Sequence, residues 1–147
     1  NTRQDSVSRG LREVGTPFVL VHDGARPLVS PEKILEVAEM ARRTGAAILA
    51  VPIKDTVKMV SKGLIAGTIP REGLWAAQTP QAFRTEILRE ATRKAAEDRF
   101  EGTDEASLVE HLGHLIAVVE GSERNLKVTT PVDLAIAEHL LNQRGAQ

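Results

Sequence analysis

Pro17-Phe18-Val19-Leu20-Val21-His22 and, further on, Ala46-Ala47-Ile48-Leu49-Ala50-Val51 decide the fold. Each is a nearly unbroken apolar run of strand length, the pattern of a strand covered on both faces of a sheet. Between them, Ser30-Pro31 is a helix start, with Ser as N-cap and Pro at the first helical position. Ile34, Leu35, Val37, Ala38 and Ala41 then recur at helical spacing up to Gly45. Strand, helix, strand is a βαβ unit, which predicts parallel strands joined by a right-handed crossover.

On the N-terminal side, Val7, Leu11 and Val14 (i, i+4, i+7) predict an amphipathic helix ended by Gly15. On the C-terminal side, Thr56–Val60, a Ser61-Lys62-Gly63 turn and Leu64–Ile69 read as a hairpin with polar positions on both strands. The segment 56–71 is therefore expected to project from the sheet as a β-arm. Leu74–Thr79 is expected to rejoin the sheet. Glu86–Asp98 reads as a charged amphipathic helix with Ile87, Leu88, Ala91 and Ala95 inward. Thr103 is the expected cap of the next helix, with Asp104 and Glu105 at the positive end of its dipole. Leu115–Val119 reads as a third buried strand and Asn125–Val128 as a short fourth. Thr130-Pro131-Val132-Asp133 starts a last helix, with Ile136, Leu140 and Leu141 expected on the core. The expectation is one α/β domain over residues 1–147, without repeats or linkers.

Composition removes several classes. The 147 residues contain 19 Lys+Arg and 20 Asp+Glu, for a net charge of −1. Such a balance argues against a nucleic-acid partner, which needs a basic surface. Without cysteine there is no disulfide scaffold, thiolate metal site or cysteine nucleophile. No apolar run approaches the ~20 residues that span a bilayer, and no secretory signal pattern opens the sequence. The expectation is a cytosolic domain with no membrane partner.

In open α/β sheets ligands bind at the carboxyl ends of strands. His22-Asp23-Gly24-Ala25-Arg26-Pro27 follows a buried strand directly. Asp23 suits a metal ion or a ribose hydroxyl, Gly24 and Ala25 let a ligand approach the backbone, and Arg26 offers a fork for phosphate. The same residues also make an ordinary βα turn with an Asp–Arg pair. Lys127 is a second candidate for phosphate, or a solvated strand-end lysine. On the arm, Lys54, Asp55, Thr56 and Lys58, with Arg71 following, read by pattern alone as a solvated hairpin. Trp75 reads as a packing residue. His111 and His114 lack acidic partners in a metal-ligand pattern and read as surface residues; no metal ligand is assigned. P-loop, dinucleotide, serine-hydrolase and zincin motifs are absent from the sequence.

Six motifs in order carry a resemblance: Thr2-Arg3-Gln4-Asp5-Ser6-Val7, His22-Asp23-Gly24-Ala25-Arg26-Pro27, Asp55-Thr56-Val57-Lys58, Gln78-Thr79-Pro80-Gln81-Ala82-Phe83, Thr103-Asp104-Glu105-Ala106-Ser107 and Asn125-Leu126-Lys127-Val128-Thr129-Thr130-Pro131. Together they resemble the 2-C-methyl-D-erythritol 4-phosphate cytidylyltransferases of the non-mevalonate isoprenoid pathway. The resemblance implies a Rossmann-like, mostly parallel sheet flanked by helices, of the nucleotide-diphospho-sugar transferase type, with a protruding β-hairpin arm. It implies transfer of CMP from CTP to 2-C-methyl-D-erythritol 4-phosphate, with Mg²⁺ held mainly through the CTP phosphates. It also implies a homodimer joined by the arm, in the bacterial cytoplasm or in a plant plastid.

Carried over by position, Ser6 and the Gly24 backbone resemble cytidine-side contacts. Asp23 and Arg26 resemble groups around the acceptor and the transferred phosphate. Thr79 and Lys127 resemble acceptor-site residues. Thr56 and Arg71 would complete the site of the partner subunit. Gly24 stands where the family often has Ala, a change that a backbone contact survives. The family begins with a strand and a Gly-rich loop bearing an Arg and then a Lys, which have no counterpart in this sequence. The chain thus resembles the C-terminal portion of the enzyme, N-terminally incomplete, and is expected to be inactive alone. Two alternatives stay open: a ribitol-5-phosphate cytidylyltransferase, and a non-catalytic fragment or dimerisation module of the same fold. Ala25 leans towards the methylerythritol enzyme.

Overall fold

The computed structural model describes residues 3–144, so Thr2 of the first motif lies outside the description. The elements in chain order are α1 (Arg3–Glu13), β1 (Phe18–Val21), α2 (Pro31–Thr44), β2 (Ala46–Pro52), β3 (Val57–Ser61), β4 (Leu64–Ile69), β5 (Trp75–Arg84), α3 (Thr85–Asp98), α4 (Glu105–His111), β6 (Ala117–Glu120) and α5 (Pro131–Arg144).

Four strands form the main sheet in the order β1-β5-β2-β6. The βαβ reading holds in direction, since β1, β2 and β6 run the same way. It misses a neighbour: β5 inserts antiparallel between β1 and β2, and only β2 and β6 form a parallel ladder. The segment expected to rejoin the sheet at Leu74–Thr79 is thus the first half of a central strand.

Two layers of helix cover this sheet, and β2 shows why its sequence is apolar throughout. Ala46, Ile48 and Ala50 face a core with Leu11 of α1, Leu88, Ala91 and Ala95 of α3, and Leu108 and Val109 of α4. Ala47 and Leu49 face the opposite side, against Val37 and Ala41 of α2. Alternation puts successive side chains on opposite faces, so a strand buried on both sides needs apolar residues at every position. Complete burial of a side chain such as Leu49 contributes about 1.5–3 kcal/mol.

The helix ends follow local chemistry. Ser30 accepts a hydrogen bond from the Lys33 amide, as its place before Pro31 predicts. Thr103 is not the cap of α4. Asp104 is, in a capping box with Ser107: each side chain meets the other's backbone amide. The three-residue spacing of Asp104 and Ser107 allows this reciprocal pairing, which Thr103 has no partner to match. At α5, Thr130 Oγ1 accepts from the Asp133 amide while the Asp133 carboxylate accepts from the Thr129 and Thr130 amides. The bond from the Thr129 amide contributes most to holding the Asp133 carboxyl at about 2, below its ordinary 3.8. This cap is therefore complete above 3.8 and weakens as pH falls from there through about 2.

Two other expectations are corrected. Asn125–Val128 forms no strand. Its backbone makes one bond across, from the Val128 amide to the Ala25 carbonyl, while the Asn125 side chain turns inward. Along α5, Ala137 is the buried residue and Leu140 is half-buried, whereas Ile136 and Leu141 remain exposed. Among the described residues nothing packs over that side of the helix. Trp75, expected to pack, is 43% exposed at the start of β5. His111 is at the surface as expected, stacked on Phe100 and hydrogen-bonded to Asp98.

The hairpin is a separate two-stranded sheet, β3 with β4. Met59, Val60, Leu64 and Ile65 are all exposed on it.

Gly45 ends α2 at φ 91, in the left-handed region, and a Cβ there would meet Ile87 Cδ1 at 3.0 Å. Gly45→Ala adds backbone strain and crowding at once. It is expected to cost about 1–3 kcal/mol in urea unfolding. An unchanged midpoint would mean that the turn relaxes freely.

Candidate functional site

Beside the carboxyl end of β1, a crevice of about 250 Å³ lies between five segments distant in sequence. Its charged wall is Arg3 from α1, Asp23 and Arg26 from the turn after β1, and Lys127 from the segment before α5. Gln78, Thr79 and Gln81 of β5, with Thr103 and Asp104 at the start of α4, form the other wall.

Asp23 is the centre of the charged wall. Its Oδ2 lies 3.2 Å from Lys127 Nζ and 3.6 Å from Arg26 Nε, and its Oδ1 lies 3.4 Å from Arg3 Nη2. Burial opposes ionisation of Asp23. The hydrogen bond from Lys127 and the charges of Lys127, Arg3 and Arg26 outweigh it and hold the carboxyl below its ordinary value.

Each of the three cations is committed differently. Arg26, with 12% of its side chain exposed, donates from Nη1 to the Asn125 carbonyl at 2.7 Å. Its Nε is buried with no hydrogen-bond partner. Arg26 thus ties the turn after β1 to the segment before α5 as well as supplying charge. Arg3 forks onto Glu105 at 2.7 and 2.8 Å. Lys127 is 46% exposed, so it is the cation freest to meet a ligand.

Thr79 lies in the other wall and is buried. Its Oγ1 accepts from the Asp23 amide at 2.9 Å and shares a hydrogen bond with His22 Nδ1 at 2.9 Å. It thereby holds the backbone of the turn in place. Gln78 is equally occupied: Nε2 donates to the Ser122 carbonyl, and Oε1 accepts from Asn125 Nδ2. The approach is so close that a Cβ on Gly121 would lie 2.3 Å from Gln78 Oε1, which only glycine allows.

The structure brings Asp23, Arg26, Thr79 and Lys127 together. Gly24, exposed in the turn after β1 with open space where a Cβ would stand, does not itself line the crevice. Ser6 is on the exposed side of α1 and does not line the crevice. Thr56 and Arg71 do not line it either. Both are exposed near the base of the hairpin, where Arg71 donates to the Lys54 carbonyl. Residue-by-residue reading missed Arg3, Gln81, Glu105 and Asn125 as parts of the site. Gln78 and Gln81 did carry a signal, since amides inside a buried strand demand partners.

Among the described residues no three His, Asp or Glu gather in a way that would hold a metal ion. Asp23 already faces three cations, and Asp104 accepts from the Ser107 amide and from Gln81. These carboxylates do not fit a protein-held divalent ion.

A mixed α/β sheet with a small crevice at a strand end, lined by three cations and two carboxylates, defines a Rossmann-like domain. Within that class the chain belongs to the 2-C-methyl-D-erythritol 4-phosphate cytidylyltransferase family, whose family model matches residues 1–143. It is 54% identical over 140 residues to the enzyme of that name from Bacillus licheniformis, covering 95% of this chain and 61% of the relative. To that of Syntrophotalea carbinolica it is 49% identical over 146 residues, covering 97% and 63%. The crystal structure of the Thermus thermophilus enzyme superposes with a TM-score of 0.91 at 43% identity, over 96% of this chain and 70% of that one. The chain thus spans 61–63% of the length of these two curated relatives.

Asp23 has a folded pKa below its unfolded 3.8. Its stabilisation is therefore full above that value and is lost as pH falls through the folded value. Asp23→Asn is expected to cost about 1–3 kcal/mol at pH 7, because three cations lose their shared counter-charge. The gap between variant and parent in urea unfolding should narrow towards pH 3. A gap that stays constant with pH would place the stabilisation elsewhere.

Proposed function

We propose that the protein acts as a cytidylyltransferase, moving CMP from CTP to 2-C-methyl-D-erythritol 4-phosphate in isoprenoid biosynthesis, in a bacterial cytoplasm. The observation that carries this reading is the convergence of Arg3, Arg26 and Lys127 on one small crevice, in a chain of this family. Among the described residues no helix is long and apolar enough to cross a membrane.

In the proposed step an oxygen of the acceptor phosphate attacks the α-phosphorus of CTP. A P–O bond forms, the bond to pyrophosphate breaks, and no covalent enzyme intermediate is needed. Catalysis is then positioning together with neutralisation of phosphate charge. Lys127 keeps two N–H donors beyond its contact with Asp23, and these meet the phosphate. Arg26, tied to Asn125, holds the geometry of the turn. Thr79 keeps Asp23 in register. The open backbone at Gly24 and the outer side of α1 at Ser6 receive the cytidine end. Mg²⁺ travels on the CTP phosphates, and no step is assigned to an ion held by this chain.

Thr56 and Arg71 point to a homodimer. An isolated two-stranded hairpin is marginal in water, and this one exposes five large apolar residues, Met59, Val60, Leu64, Ile65 and Ile69. A second copy related by a two-fold axis covers them and brings Thr56 and Arg71 to the neighbouring crevice.

The direct assay is pyrophosphate release by the full-length protein from CTP, with 2-C-methyl-D-erythritol 4-phosphate or ribitol 5-phosphate as acceptor. Turnover with the first is expected; turnover with ribitol 5-phosphate alone would overturn the reading. Lys127→Ala is expected to lower kcat/KM about tenfold or more, the worth of a charge-assisted hydrogen bond, with the melting temperature little changed. A variant that unfolds instead would make Lys127 structural.

For the arm, two full-length variants, Arg71→Ala and Lys127→Ala, are mixed. About half of randomly exchanged dimers carry one composite site with neither lesion. Recovery of about a quarter of parent activity follows if the sites act independently. No recovery despite confirmed exchange would mean that the arm acts only within its own chain.

A further inference from the structure

Glu105 is the one fully buried carboxylate among the described residues. Burying a charge is costly unless it is paired, so its surroundings indicate what it serves. It does not cap α4, because Asp104 does. It does not anchor β5, because Gln81 binds Asp104 Oδ2 and the Ala106 amide instead. Both of its oxygens go to Arg3, at 2.7 and 2.8 Å.

Arg3 is therefore held by its fork and reaches Asp23 Oδ1 only at 3.4 Å. Asp23 Oδ2 is left for the Lys127 ammonium at 3.2 Å. An arginine released from Glu105 would close its fork on the nearest carboxylate, which is Asp23, and would compete with Lys127 for it.

We propose that Glu105 is a positioning residue that works through Arg3: it restrains Arg3 so that Asp23 stays available to aim the Lys127 ammonium into the crevice. The proposal rests on the cytidylyltransferase reading for its effect on rate, though not for its geometry. Since Glu105 touches no ligand, its loss leaves substrate binding largely intact and disturbs only the group that stabilises the reacting phosphate.

The test uses the full-length protein and the variants Glu105→Gln, Arg3→Gln and the double variant. Glu105→Gln is expected to lower kcat about tenfold, with KM for CTP within about threefold of the parent. The double variant should be no slower than Arg3→Gln alone, because Glu105 has nothing to restrain once Arg3 is gone. In a crystal structure of Glu105→Gln, Arg3 should lie against Asp23, and Lys127 Nζ should stand more than about 4 Å from it. Should Glu105→Gln fail to fold, Arg3→Lys replaces it, keeping the charge opposite Glu105 without the fork; the same selective fall in kcat is expected. Additive losses in the double variant, an intact Lys127–Asp23 contact, or an unchanged kcat would overturn the proposal. A parent protein that releases no pyrophosphate from CTP would instead overturn the function. In that event the crystal structure of Glu105→Gln still decides the positioning.

Discussion

Six consecutive residues of β5, Gln78 to Phe83, are buried, and three of them carry polar side chains. Buried polar groups without partners are costly, so this strand obliges the chain around it to supply them. Gln78 takes Ser122 and Asn125, Thr79 takes Asp23 and His22, and Gln81 takes Asp104 and Ala106. These partners come from separate segments of the chain, and those segments are the walls of the crevice. The site is therefore set by the hydrogen-bonding demand of a central strand rather than by any loop's own preference.

Charge follows the same logic. One carboxylate, Asp23, meets three cations drawn from α1, the turn after β1 and the segment before α5. A second carboxylate, Glu105, is taken up by one of those cations. Positive groups held a few ångströms apart without such carboxylates would repel one another and loosen the crevice. With them, the cations are paired and the wall still presents the exposed end of Lys127.

The hairpin obeys a different rule. It makes no ladder with the main sheet, so its place is not dictated by the core. Its exposed apolar residues, with Thr56 and Arg71 at its base, make sense when a second copy is in contact. In the proposed dimer the crevice is shared property: its floor belongs to one chain and its reach to the other.

The α/β class, the helix from Ser30 to Gly45, the hairpin and the cluster around Asp23 were all legible in the sequence, because each rests on local periodicity, a cap or a turn. Family resemblance added which of those residues belong together. Tertiary structure alone decided that β5 runs antiparallel between β1 and β2, because strand neighbours are chosen by packing between distant segments and both orientations need the same apolar pattern. It alone placed Asp104 rather than Thr103 at the cap, and drew Asn125–Val128 out of any strand, because side-chain partners far along the chain outweigh local propensity. It alone revealed Arg3 and Glu105 as a pair: their sequence separation of 102 residues leaves no local pattern, and only the folded core brings a buried carboxylate to the guanidinium that satisfies it.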